Sequence, residues 1–313
     1  EFMQASWDVE EVQVKGIQHI ASFVKEKSAF PYLLKFTEVI TFAMKTHVTS
    51  LDLQVDGCRL LLEILSEALK QDVEVPLDKG VTSCLLATVR KHSGNEELLS
   101  MLCTLLMMVS ASEVAARNLR KVGIIPDLLS ILRRFLDNDE ICSSCCGVLW
   151  SLAVSENNAD QALLKSAVPV TSAVLQKYLQ NGAVAESACS ALWALSLQGC
   201  LDDYDYEPTT ALLLDAVRTN QERAMLVKNG CLALASLLRM SELAALTFIT
   251  VSKGSGIELI KDICYLHFDD PGVIGAVCLL MKEMVQYDDV VLDMLSQKME
   301  EQLSEIKIQF PFS

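Results

Sequence analysis

Apolar positions along the chain recur with the period of an α-helix, and one helical phrase is written more than once. "CCGVLWSLAVSE" (145–156) and "ACSALWALSLQG" (188–199) both read compact, Cys, small, apolar, Leu, Trp, small, Leu, and Trp150 and Trp193 stand 43 residues apart. Related phrases start at Gly16, Gly57, Met101, Gly230 and Gly275, which makes seven copies spaced 41 to 45 residues apart. Four positions after each start come Ile20, Leu61, Leu105, Leu149, Leu192, Leu234 and Leu279. The apolar offsets 0, +1, +4, +7 and +8 trace one stripe of a 3.6-residue helix, and such a stripe is buried only against a neighbour. Small residues at the first two offsets let adjacent helices approach closely. Cys58, Cys146, Cys189 and Cys231 share the second offset, so they are expected to be buried thiols that pack as small hydrophobes.

A second phrase lies between the copies. "KVGIIPDLLSILRRF" (121–135) is echoed by "KSAVPVTSAVLQKYL" (165–179), by "DKGVTSCLLATVRKH" (78–92), and more loosely by "KSAFPYLLKFTEVI" (27–40). Glycine ends one short helix there, and Pro126 and Pro169 fall near the first turn of the next, where a missing N–H costs nothing. Alternating β-branched runs are hard to find, and Gly (13) and Pro (7) are scarce. The fold class read from this pattern is all-α. A period of roughly 40–47 residues belongs to helical solenoids with two or three helices per unit.

These phrases resemble the armadillo repeat family. "NLRKVGIIPDLLSIL" resembles its second helix and the turn before it, while "GVLWSLA" and "ALWALSL" resemble its third. The resemblance covers most of residues 9–290 and is strongest from about 95 to 240. It implies a right-handed α-solenoid of about seven armadillo-like repeats over residues 9–299. Residues 1–8, opening on "EFM", then read as a vector-derived or disordered N-terminus, and residues 300–313 as a C-terminal tail or capping segment. Armadillo-like regions also occur beside serine/threonine kinase-like domains, and the resemblance extends to a regulatory region of that kind.

Armadillo proteins that hold extended peptides commonly carry Trp followed four residues later by Asn, whose amide bonds the peptide backbone. Here Val154 follows Trp150 and Leu197 follows Trp193, and the other copies carry Lys25, Ser66, Ser110, Arg239 and Met284 at that offset. The resemblance therefore does not carry over extended-peptide binding. An apolar strip of Trp150, Val154, Trp193 and Leu197 suits a partner helix instead, or the chain's own segment "EEQLSEIKIQFPFS" (300–313).

Composition narrows the function further. A net charge of −15 points away from nucleic acid, whose phosphates require a basic face. The longest uncharged stretch, residues 98–112, has 15 residues, short of the ~20 that cross a bilayer. The 11 cysteines sit mostly inside apolar phrases, and no N-x-[ST] sequon occurs, which places the chain in the cytoplasm or nucleus with reduced thiols. "CSSC" (142–145) lacks a second pair or nearby histidines for zinc, since His19, His47, His92 and His267 lie far off in sequence. "DDYDYE" (202–207) starts like a calcium loop but has Pro208 and Leu214 where that loop needs Gly and Glu; it reads as a solvated loop between helices. "KGSG" (253–256) reads as a linker, having neither a dinucleotide nor a P-loop fingerprint. GxSxG and HExxH are absent. Arg117, Arg120, Lys121, Arg133 and Arg134 fall within 18 residues, which reads as a solvated helix face or as a basic patch for an acidic partner.

The expectation is a non-enzymatic scaffold or regulatory module without cofactor, metal or small-molecule ligand. Its partner is another protein or another domain of its own polypeptide, met through Trp150, Val154, Trp193, Leu197, Arg133 and Arg134. An exchange-factor-like regulator of a nucleotide-binding protein is the alternative.

Overall fold

A computed structural model describes residues 2–23, 30–71, 73, 79–154, 161–251 and 254–309. Among the described residues the regular structure is helical throughout, with no strand, in agreement with the all-α reading. The chain forms two compact units, residues 1–155 and 156–313.

The first unit contains α1 (Phe2–Ala5), α2 (Glu10–Phe23), α3 (Phe30–Thr46), α4 (Leu51–Lys70), α5 (Lys79–Lys91), α6 (Glu96–Ser110), α7 (Glu113–Lys121), α8 (Ile125–Arg134) and α9 (Asp139–Val154). Helices α2, α4, α6 and α9 pack side by side in chain order, and α3 packs against α5. Local chemistry sets the boundaries. The Asn95 side chain accepts from the Leu98 amide at 2.9 Å and opens α6, whose first turn carries Glu96 and Glu97. Asn138 opens α9 in the same way through the Ile141 amide at 2.9 Å. These caps satisfy amides that have no partner inside the helix, and the acidic first turn suits the positive end of its dipole. Gly123, with φ at 74°, reverses the chain after α7 in a conformation that costs glycine little. Two residues on, Ile125 begins α8 with Pro126 in its first turn, as expected from the sequence.

The second unit contains α10 (Gln161–Lys165), α11 (Ala167–Lys177), α12 (Gly182–Leu197), a 3₁₀ turn (Asp203–Asp205), α13 (Tyr206–Thr219), α14 (Ala224–Met240), α15 (Glu242–Thr250), α16 (Gly256–Leu266), α17 (Pro271–Met284), α18 (Asp288–Ser296) and α19 (Met299–Gln309). Here α12, α14 and α17 pack in chain order, and α13 lies against α11, α14 and α15. The segment from residue 300, expected as a tail or cap, is helical as far as Gln309. In α19, Met299 and Ile306 are buried, and the helix packs on α16 and α18. Of the "KGSG" linker, Lys253 lies outside the described residues; Ser255 caps α16 through the Ile257 amide at 3.1 Å.

The burial pattern repeats from helix to helix. Counted from the residue before the helix (Ser50, Asn95, Asn138, Asn181 or Arg223), the third, fourth, seventh, eighth, tenth and eleventh residues are buried in α4, α6, α9, α12 and α14 alike. Each such Leu, Ile or Val stabilises the fold by roughly 1.5–3 kcal/mol relative to exposure. This register corrects two copies of the sequence phrase. The third starts at Leu102 rather than Met101, and the last at Val277 rather than Gly275. In "SMLCTLLMMV" the apolar residues are too continuous for spacing to separate neighbouring registers, and the caps decide. Cys103 and Cys278 thereby join the slot of Cys58, Cys146, Cys189 and Cys231.

As expected, those four thiols are buried. Burial raises the Cys58 thiol strongly, and pushes Cys189 and Cys231 up to about 12. Of all 11 cysteines only Cys278 is partly exposed. Titration of the native protein with a bulky aromatic disulfide is therefore expected to label one thiol quickly, Cys278, and the others only on unfolding. Fast labelling of Cys58, Cys146, Cys189 or Cys231 would contradict the packing register.

Polar side chains tie helices to one another. Gln13 Nε2 donates to the carbonyls of Met3 and Ser6 at 3.0 and 2.7 Å. Gln54 Nε2 repeats the arrangement 41 residues on, with Met44 and His47 at 2.9 and 3.1 Å. At the ends of the intervening helices, His47 Nε2 meets the Trp7 carbonyl (2.8 Å), His92 Nε2 that of Val48 (2.6 Å), and Arg134 donates to Ser93 (3.1 Å). In the second unit Asn220 donates to Leu179 (2.9 Å), and His267 meets Gln221 (2.6 Å). Three of the four histidines are thus engaged with backbone carbonyls.

Candidate functional site

Trp150 and Trp193 each occupy the twelfth position of a 16-residue helix opened by Asn, at Asn138 and Asn181. Trp150 is 39 % exposed and Val154, one turn on, 50 %. Both project from the side of α9 opposite its buried Ile141–Cys145–Leu149–Leu152 line. Gly147 lies one turn before Trp150 on that side, and the Met107 side chain of α6 rests over it: a Cβ there would come within 2.9 Å of Met107 Cγ and Sδ. Met107 itself holds the Trp position of α6, and Leu62 holds it in α4. Both are partly exposed. The first unit therefore presents a row of Leu62, Met107 and Trp150, extended along α9 by Val154. Sequence reading missed Met107 because it set α6 one residue out of register, and the equal spacing of Asn95, Asn138 and Asn181 is the signal that finds it; Leu62 was in register but carries no Trp to mark it.

In the second unit Trp193 is only partly exposed, while Leu197 is 47 % exposed. The next helix, α14, has buried Ala235 at the Trp position. Within the second unit, α14 therefore presents no exposed apolar side chain at that position. Asn229 of α14 is buried and donates to Ser190 Oγ at 2.8 Å.

The basic residues separate by role. Arg120 is buried, and its Nη1 donates to the Leu152 carbonyl at 3.1 Å, where a cation is favourable at the C-terminal end of α9. Arg117 pairs with Glu113 at 2.6 Å. Arg134, exposed, binds Ser93 and lies 5.3 Å from the centroid of the Phe135 ring. Arg133 and Lys121 are exposed. A cleft of about 240 Å³ lies between α5 and α8, walled by Arg90, Ser93, Asp127, Ser130 and Arg134. Asp127 Oδ2 accepts from both Nε and Nη2 of Arg90 at 3.0 and 2.8 Å. The cleft is smaller than the ~300 Å³ usual for small-molecule sites, and its guanidinium groups already hold partners.

The acidic stretch is a built turn. Asp202 and Asp205 cap one another through side-chain and backbone bonds, with the Asp202 amide donating to Asp205 Oδ2 at 3.0 Å. Lys165 reaches Asp202 at 2.6 Å, and this hydrogen bond holds the Asp202 carboxyl below its ordinary range. Tyr206 is buried, and Glu207 and Pro208 already belong to α13, so the solvated loop expected from sequence is shorter than "DDYDYE". Within "CSSC", Cys142 Sγ lies 3.7 Å from the Phe135 and Leu136 carbonyls, whereas Cys145 Sγ lies 3.5 Å from Cys103 Sγ. Among the described residues, no three His, Cys, Asp or Glu side chains are grouped to hold a metal ion, and no helix is long and apolar enough to cross a membrane. The chain matches no protein-family model.

Proposed function

We propose that the chain is a non-enzymatic protein–protein interaction module of armadillo-like repeats, whose solvent-facing apolar row receives the apolar face of a helix. That helix comes from a partner protein or from another domain of the same polypeptide. The observation that carries the reading is the pair Trp150 and Val154, exposed at i and i+4 beside Met107. A half-exposed Trp in such a row does little for folding and a great deal for association, because aromatic anchors dominate interface energetics. Sequential packing of α2, α4, α6 and α9 supports a repeat scaffold, and the side chains at the ends of the intervening helices tie each repeat to the one before. Val154 and Leu197 replace the amide that would grip an extended peptide, which favours a helical ligand read through apolar contacts.

The test compares the protein with its Trp150→Ala/Val154→Ser variant. The variant is expected to keep its melting transition to within the ~0.5 kcal/mol typical of surface changes. Proteins retained on the immobilised wild type should be lost from it, with a weakening of ~2 kcal/mol or more for a directly titrated partner. An identical set of retained proteins at unchanged affinity overturns the reading.

A further inference from the structure

We propose that Cys103 and Cys145 form a site of reversible oxidation: a disulfide that ties α6 to α9 when the protein meets hydrogen peroxide. Their sulfur atoms lie 3.5 Å apart across the helix–helix contact, and both side chains are fully buried. A disulfide needs the sulfurs at about 2.05 Å, about 1.5 Å closer than these two stand. The alternative pair suggested by the CxxC spacing is disfavoured by direction, since Cys142 turns to the carbonyls of Phe135 and Leu136.

Position in the repeat makes this junction special. Cys103 is the eighth residue after its capping residue and Cys145 the seventh after its own. The seventh position is Gly57 in α4, Leu102 in α6, Ala188 in α12 and Gly230 in α14. The eighth-position cysteines of the other helices therefore have no such counterpart.

The chemistry closes in two displacements. One thiol sulfur attacks a peroxide oxygen, the O–O bond breaks, and the products are a sulfenic acid and water. The second thiol sulfur attacks the sulfenic sulfur and releases another water, so two thiols and one peroxide give one disulfide and two waters. The hydrogen bond to Cys103 and then burial hold the Cys145 thiol well above its ordinary pKa, and the thiolate is the attacking form. The reaction is accordingly slow in the closed state and proceeds through brief openings of the α6–α9 contact. The site stands whether or not the neighbouring Trp150 row binds a partner.

The test uses the full chain exposed to hydrogen peroxide, denatured in excess N-ethylmaleimide, and mapped by non-reducing peptide mass spectrometry. The expected product is a cross-linked peptide pair containing Cys103 and Cys145, lighter by two hydrogens, with a higher melting temperature that dithiothreitol reverses. Predominant Cys142–Cys145 linkage, or full maleimide labelling of both Cys103 and Cys145 after peroxide, overturns the proposal. Because the mapping is done on the wild-type chain, the result does not depend on whether a Cys103→Ala or Cys145→Ala variant folds.

Discussion

Gln54→Ala is expected to lower the stability of the first unit by about 3–5 kcal/mol, read by urea unfolding. The side chain is fully buried and all of its hydrogen-bonding groups are engaged. Its amide nitrogen donates to Met44 and His47, and its carbonyl oxygen accepts from Thr88 Oγ1 at 2.8 Å. Both carbonyls lie at the C-terminal end of α3, and that of His47 also accepts from the Ser50 amide at 3.0 Å. Removing the Gln54 amide takes its donor from the Met44 carbonyl, leaves His47 with the Ser50 amide alone, and opens a hole among α3, α4 and α5. The loss from each orphaned polar group is ~1–3 kcal/mol, more than the hydrogen bond itself contributes. Thr88→Val is the internal comparison. Thr88 also donates to Cys84 at 3.0 Å; its replacement orphans one buried acceptor, Gln54 Oε1, without opening a comparable hole, and should cost about 1–3 kcal/mol, less than Gln54→Ala. If Gln54→Ala costs no more than Thr88→Val, water replaces the amide and the buried tie contributes little.

Phe248→Ala is expected to destabilise the second unit by about 3–5 kcal/mol, since truncation of a buried aromatic forfeits its transfer free energy and leaves a cavity. Phe248 is 1 % exposed and heads the largest fully buried side chains. Its ring lies over Gly256 at the start of α16, where an added Cβ would come within 2.5 Å of Cε1 and Cζ. Gly256→Ala should therefore cost about 1–3 kcal/mol by overpacking. The pair must be non-additive: in the Phe248→Ala background, Gly256→Ala should cost much less or become favourable, because the added methyl fills space the ring vacated. Additive losses in denaturant unfolding would show that ring and glycine do not oppose one another.

Much of the fold was legible in the chain because helix periodicity and capping are local. Trp150 and Trp193 were placed in equivalent positions by their flanks alone, and the structure puts both at the twelfth residue of a 16-residue helix. The buried cysteines were legible for the same reason, since a stripe of small residues has one place to go. Register was harder where apolar residues run on without a break. Around Met101 and Gly275, spacing left neighbouring frames equally good, and the caps Asn95 and Asp270 fixed them. The one-residue shift in α6 is what hid Met107 from the exposed row.

Sequence by itself determined the helical class, the repeat spacing and, outside α6 and α17, which residues lie on the apolar stripe, because each follows from 3.6-residue periodicity within a short window. Only tertiary structure decided what the polar residues do. Arg120, one of five basic residues in a short stretch, is buried against the Leu152 carbonyl, and His47, His92 and His267 each face a carbonyl 40 to 46 residues earlier in the chain. Trp150 faces solvent while Ala235 is buried at the same position of α14. Those outcomes depend on partners roughly one repeat away in sequence, and no local pattern encodes which carbonyl or neighbouring helix will stand opposite a given side chain.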